Sequence, residues 1–347
     1  MDEIIVSVTE ECNSRCVMCD IWKSDMREVV EPSVYASLPE RVGTVRVTGG
    51  EPFLREDLAE VIAVIDKRCG KPRFVFSTNG LNPNLVEKQV KKILEISKKV
   101  GVRVSLDAVG VMHDKLRGVE GAYEKALETL ERLKKMGVRD LGVAFTIQKI
   151  NVGETSKVYD LACRLGVEFT GCLVESSDFR YYNTNVSLPE MEDLARQLDY
   201  VIGGELKTVH AYGMNPRKGG SPKHWFRAYY FKTLGGYAKF KLGLEKKPRK
   251  LECTALEKFV YIRPDGSVHA CILREECLGN IKEKKVEEIL KEKKVEEMKL
   301  KVRHCPLNCW TMCNVTTTMK KYFPQVLAWV MASKIKAHFG LKRFIER

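Results

Sequence analysis

Three cysteines set the first chemical question of this chain. Cys12, Cys16 and Cys19 stand in C-x3-C-x2-C spacing within CNSRCVMC. Three thiolates on one short loop hold three corners of a cubane iron–sulfur cluster, whose four irons normally take four cysteines. The fourth iron is then open to a small molecule. Zinc is the alternative, but a structural zinc site closes with four ligands and more often repeats a C-x2-C pair. No fourth ligand stands nearby, and Asp20 is a poor candidate. A second set, Cys253, Cys271, Cys277, Cys305, Cys309 and Cys313, gathers six of the 12 cysteines late in the chain.

The acidic start MDEIIVSVTEE enters a strand at once and argues against a secretory signal. No run of 18 apolar residues exists, so no spanning helix is expected. The expected compartment is the cytoplasm, where clustered cysteines point to metal rather than to disulfides. Cys69, Cys163 and Cys172 show no ligand spacing. The first two read as buried apolar residues. Cys172, beside Glu175, reads first as buried and second as a hydrogen donor to a substrate radical.

The elements that position these residues alternate. Apolar strands are expected over 4–8, 44–48, 73–77, 102–106, 141–147 and 167–173, with amphipathic helices over 58–67, 85–99, 123–136 and 154–165. Near-continuous apolar strands between helices imply a parallel sheet with helices outside. Six units suit a partial (βα)6 barrel rather than a closed eight-stranded one, with the chemistry at the strand ends. The expected division is residues 1–175 for the barrel, 176–250 for a substrate-covering insert, 251–315 for a Cys-rich domain and 316–347 for an amphipathic tail helix. Within the third part, YIRPDGSVHAC reads as a hairpin turning at Pro-Asp-Gly, and 282–301 as a Lys/Glu-rich helix.

Five motifs stand at successive strand ends: the cysteine loop, TGGEP (48–52), STNG (77–80), SLDA (105–108) and FTIQKIN (145–151), with HDKLRG (113–118) between the last two. In this order they resemble the radical S-adenosylmethionine (SAM) family. The resemblance implies that the open iron chelates SAM and that one electron cleaves the sulfonium to a 5′-deoxyadenosyl radical. The cofactor contacts it implies are Gly49, Gly50, Glu51, Pro52, Ser77, Asn79, Ser105, Asp107 and Arg117. The residue types agree. Gly49 and Gly50 let backbone approach a ligand, Ser77, Asn79, Ser105 and Asp107 suit a ribose and a zwitterion, and Arg117 offers a bidentate donor to a carboxylate. Asn79-Gly80 is also readable as a plain turn, and Asp107 as a helix cap.

The late cysteines resemble the SPASM/twitch extension, which implies an auxiliary [4Fe-4S] cluster. The run C-x3-C-x3-C departs from the seven-cysteine SPASM pattern, so one auxiliary cluster is expected. Cys253, Cys271, Cys309 and Cys313 rank first as its ligands, Cys305 next, and Cys277 is the spare; a zinc ribbon is the alternative.

Formal net charge is +13, from 59 Lys+Arg against 46 Asp+Glu. This suits an anionic partner or a solvated surface. The stretch KHWFRAYYFK (223–232) reads either as a substrate clamp through Trp225, Arg227 and Tyr229 or as a helix over the barrel mouth. One such stretch is weak support for nucleic acid, which is not an expected partner. In the tail, Phe323, Val326, Leu327, Trp329, Val330 and Met331 precede Lys334, Lys336, Lys342 and Arg343. They read as a docked helix or as a peripheral contact with the inner face of a membrane. The expected enzyme abstracts hydrogen from a small-molecule, sugar or lipid-linked substrate, for oxidation, epimerisation or coupling, with flavodoxin or ferredoxin as electron donor. A peptide maturase is the alternative enzyme. A metal-stabilised RNA-binding module is the non-enzyme rival, and it has no use for the GGEP and STNG loops.

Overall fold

The computed structural model describes all residues except 177–185, 208–221, 247–252, 306, 308, 312–314, 316–318, 320–321, 340–342 and 346–347. Six parallel strands, β1 (Glu3–Ser7), β2 (Thr44–Thr48), β3 (Arg73–Thr78), β4 (Val100–Ser105), β5 (Asp140–Ile147) and β6 (Glu168–Leu173), lie side by side in sequence order. Between them run α1 (Leu58–Arg68), α2 (Pro83–Ile96), α3 (Val111–Arg117), α4 (Ala122–Lys135) and α5 (Thr155–Leu165). Strand alternation sorts the side chains. Ile4, Val6, Val45, Val47, Phe74, Phe76, Val102, Val104, Val143, Phe145 and Phe169 share the outer face, are essentially fully buried, and form the core with the helices. Pairing register sets Arg46, Ser77, Arg103, Ser105, Thr146, Thr170 and Cys172 on the opposite face, which lines a polar lumen.

The barrel is open. β1 pairs on its free side with β7 (Phe259–Ile262), and β8 (Ser267–His269) and β9 (Cys277–Asn280) extend the sheet antiparallel. The division expected at 250/251 is therefore a change of cysteine content and not a break in the sheet. The hairpin turns at Pro264–Gly266, where Gly266 takes φ +85 and Asp265 Oδ1 accepts from the Ser267 amide at 3.0 Å.

The stretch expected as one helix over 282–301 is instead two, α8 (Val286–Ile289) and α9 (Lys293–Arg303). Glu292, extended at ψ 144, separates them, and the break lets Ile289 and Val295 both reach the core. Two further helices, α6 (Met191–Lys207) and α7 (Pro222–Lys241), stand beside β6. α7 follows that strand from Glu168, which meets Arg227 at 3.3 Å, past Phe169, stacked on Phe231, to Glu175, bonded by Tyr237. Arg227 also meets Glu205 at 3.2 Å, and Tyr229 packs on Trp329. These contacts hold Arg227 and Tyr229 in packing, so 223–232 is a helix lying along the edge strand β6. The tail helix (Phe323–His338) docks on α6 and α7.

Candidate functional site at the strand ends

The cysteine loop leaves the C-terminal end of β1 and is pinned from two sides. On one side lies the turn after β2. The Gly50 amide donates to Thr9 O and the Glu51 amide to Glu11 O, each at 2.8 Å. A Cβ on Gly49, at φ +150, would meet Thr9 O at 2.2 Å, and one on Gly50 would meet Glu11 O at 2.2 Å. The two glycines are thus required by the backbone entering the cysteine loop. On the other side lies the end of α3. The Arg15 amide donates to Arg117 O and the Val17 amide to Leu116 O, each at 2.9 Å. Gly118, left-handed at φ +63, comes so close that a Cβ would meet Arg15 O at 2.5 Å. HDKLRG therefore acts as a clamp on the thiol loop, a role its spacing does not disclose.

The carboxylates of Glu51 and Asp107, both expected as cofactor contacts, each have partners within the protein. The buried Glu51 carboxylate accepts from Thr78 Oγ1 at 2.8 Å, the Asn79 amide at 2.7 Å and the Phe53 amide at 3.3 Å. Burial pushes it up to about 7 while those donors hold it down. Its work is to tie the ends of β2 and β3 together. Pro52, also buried, opens the turn Pro52–Leu54 behind it. Asp107, fully buried, accepts from the Thr146 amide at 2.7 Å and pairs with Arg117 at 2.5 Å. Arg117 in turn donates to Cys16 Sγ at 3.4 Å. Burial alone would lower the Arg117 value, but Asp107 and the Cys16 thiol outweigh it and keep the guanidinium charged. Asp107 acts through Arg117 and is a positioning residue.

Asn79 Nδ2 donates to Asn13 Oδ1 at 2.7 Å and lies 3.9 Å from Cys12 Sγ, while its Oδ1 accepts from the Leu81 amide at 2.9 Å. Ser77 is exposed and Ser105 half-buried, both toward the lumen. Cys172 is half-buried on the same face, with its thiol pushed up to about 12 by burial and by the carboxylates of Asp107 and Glu175. Cys69 is buried and Cys163 half-buried.

The donor set fits an iron–sulfur cluster. Burial pushes the Cys12 thiol up to about 12, with Cys16 and Glu51 adding to the rise. A thiolate there needs a bound cation, and Arg117 supplies further positive charge beside Cys16. Thr78, His113, Thr146 and Asn151 complete the support and were not among the expected site residues. Asn151 Nδ2 donates to Asp107 O at 3.0 Å, and its only sequence signal is the motif that ends at that residue.

His113 gives a pH test of this support. It is fully buried, and its Nδ1 accepts from the Asp107 amide at 3.0 Å. Burial first, then Arg117, lowers it from 6.5 to about 3, so the neutral ring is the folded form. A depressed value means its stabilisation is whole above pH 6.5 and is lost as pH falls toward 3, by up to about 1.4 kcal/mol per unit. His113→Asn keeps an acceptor and removes the titration. The wild-type apparent Tm is therefore expected to fall more steeply than the variant's from pH 6.5 to 4.5. Parallel profiles would remove His113 from this role.

The second thiol set lies elsewhere. Cys253, Cys271, Cys305 and Cys309 line one cavity of about 600 Å³, with Arg274, Tyr237 and Trp310 in the same wall. Burial raises the Cys253 thiol, and Cys305 beside it adds to the rise. Cys277 is exposed, donates to Gly279 O at 3.4 Å and is absent from that wall. Cys313 lies outside the described residues. Four thiols on one cavity again make a soft donor set suited to an iron–sulfur cluster.

Two family models match the segments that carry the two thiol sets. The family model described as "Radical SAM superfamily" matches residues 6–162, and the SPASM model, "Iron-sulfur cluster-binding domain", matches 253–314. The Fe-coproporphyrin III synthase of Methanosarcina barkeri is 27% identical over 309 residues, covering 82% of this chain and 72% of that one. A probable GTP 3',8-cyclase of Sulfurisphaera tokodaii is 28% identical over 315 residues, covering 87% and 89%. Among solved structures, native anSMEcpe with bound AdoMet and a Cp18Cys peptide shares the fold with TM-score 0.63 at 18% identity, over 96% of this chain and 99% of that one. With a thiol loop clamped at the end of β1 and a second thiol cavity in the SPASM segment, the chain belongs to the radical SAM superfamily, an enzyme with a SAM-binding [4Fe-4S] cluster and an auxiliary iron–sulfur cluster.

Proposed function

We propose that this enzyme abstracts hydrogen from a small-molecule substrate held in the barrel lumen, as a step in oxidation, epimerisation or coupling. A reduced [4Fe-4S] cluster with SAM bound would supply the one electron that cleaves the sulfonium, and so the 5′-deoxyadenosyl radical that takes the hydrogen. Cys12, Cys16 and Cys19 would hold the cluster, and Arg117 would offset the thiolate charge. The lumen residues Ser77, Ser105, Thr146, Thr170 and Cys172 would orient the substrate, and the sheet around them would exclude water.

The observation that carries this reading is the strand face opposite the core. Toward the strand ends it carries the short polar side chains Ser77, Ser105, Thr146 and Thr170, while at the strand starts Arg73, Arg103, Asp140 and Glu168 form one ion-paired group. A polar face whose far end is taken up by ion pairs suits a compact polar molecule more than an extended chain. The relatives named above support it, since their names give a porphyrin and a nucleotide. The peptide complex enters at 18% identity, where the likeness is one of fold. A flavodoxin or ferredoxin is the proposed electron donor.

The test is 5′-deoxyadenosine formation by the reduced, cluster-loaded enzyme with dialysable cell extract, before and after exhaustive proteolysis of the extract. Stimulation of about tenfold over the substrate-free rate, unchanged by proteolysis, is expected for a small molecule. Stimulation abolished by proteolysis, or found in the peptide fraction alone, would replace this reading with peptide maturation.

A further inference from the structure

The tail helix shows two different faces. Val326, Val330, Ser333 and Ala337 are buried against the body of the protein, and Trp329 packs on Tyr229 with ring centroids 5.5 Å apart. Phe323 stacks on Phe226 of α7, whereas on the other side Leu327 is 37% exposed, Met331 61%, Ile335 61% and the C-cap residue Phe339 77%. These four follow one another at intervals of four residues and so form one stripe along the helix. A docked helix ordinarily turns charged and polar residues to solvent, so a continuous apolar stripe there marks a contact surface.

Its charge setting identifies the partner. Residues 298–345 contain nine lysines and arginines and no aspartate or glutamate, so most of the chain's surplus of +13 lies in this segment. Lys334 and Lys336 bracket Ile335, and Lys336 is exposed. The Lys334 ammonium lies 4.5 Å from the centroid of the Trp225 ring. No described helix is long and apolar enough to cross a membrane, so insertion is limited to one face. Apolar side chains flanked by lysines on a helix lying flat match an interface of acyl chains beneath anionic headgroups.

We propose that the outward face of the tail helix seats this enzyme on the surface of an anionic phospholipid bilayer, with the inward face still docked on α6 and α7. The contact is reversible, because one short stripe gives marginal affinity, and it weakens with salt as the lysines are screened. It is independent of the substrate proposed above.

The test is cosedimentation of cluster-loaded, full-length protein with vesicles of phosphatidylglycerol and phosphatidylcholine, and with vesicles of phosphatidylcholine alone. The wild type is expected to pellet with the anionic vesicles only, and less as salt is raised. Met331→Glu with Ile335→Glu is expected to lower the bound fraction about tenfold with an unchanged Tm, since both side chains face solvent. The single change Leu327→Gln, expected to weaken binding in the same direction, serves if the double variant is unstable. Equal pelleting with both vesicle types, equal binding by the variants, or no binding at all would overturn the proposal. A dimer in sedimentation velocity, dissolved by the same changes and with no lipid binding, would overturn it in favour of a second copy of this chain.

Discussion

Replacing Cys16 with alanine is expected to abolish SAM cleavage and to remove about half of the protein's iron. Two cubane clusters carry about eight irons, and each is lost when a ligand that cannot be replaced is removed. The loop supplies three thiols and no spare. Cys16 is the most buried of the three, and its sulfur receives Arg117 at 3.4 Å and lies 3.1 Å from Ser14 Oγ. The backbone of the loop is held by Leu116 and Arg117, and neither bond uses the Cys16 side chain. The variant should therefore keep its fold and its auxiliary iron. The measurements are iron and sulfide content after anaerobic reconstitution, and 5′-deoxyadenosine with dithionite. Stoichiometric zinc with no iron-dependent turnover in the wild type would sink the assignment, as would a full complement of iron in the variant.

The strands were legible because their outer faces carry branched and aromatic side chains in short runs between helices. All six appear within two residues of their expected bounds at either end. What hides from a sequence is what a polar group at a strand end faces. Glu51 and Asp107 occupy the motif positions expected of ligand contacts, yet their carboxylates are spent on β3, on β5 and on Arg117. Gly49 and Gly50 are likewise fixed by Thr9 and Glu11, partners forty residues upstream with no local signature. The pairing of β7 with β1 has the same character, because a parallel neighbour about 250 residues distant leaves no periodicity to read. Local patterns tell which residues are apolar together. Contacts across the sheet decide which polar ones are free for chemistry.

Replacing Cys271 with alanine is expected to remove the other half of the iron while part of the SAM cleavage survives. The two thiol sets lie at opposite ends of paired strands. β1 and β7 run parallel with Glu3 beside Phe259, and the first thiol loop follows the C-terminal end of β1. Cys253 precedes the start of β7, and Cys271 follows the antiparallel β8, so both belong to the other end. No residue of the thiol loop lines the cavity that holds Cys253, Cys271, Cys305 and Cys309. The Cys271 sulfur accepts from the Leu273 amide at 3.4 Å, a backbone bond of the kind that steadies a cluster ligand and keeps its thiolate form favoured. The variant should retain about four irons per chain and still yield 5′-deoxyadenosine, with turnover of the substrate lost or uncoupled from it. Cys277→Ala is the control: that thiol is exposed and absent from the cavity wall, so its removal should leave all the iron in place. Loss of all iron in Cys271→Ala would show that the two thiol sets do not form independent centres. Loss of the auxiliary iron in Cys277→Ala instead would move the cluster away from the cavity assigned to it.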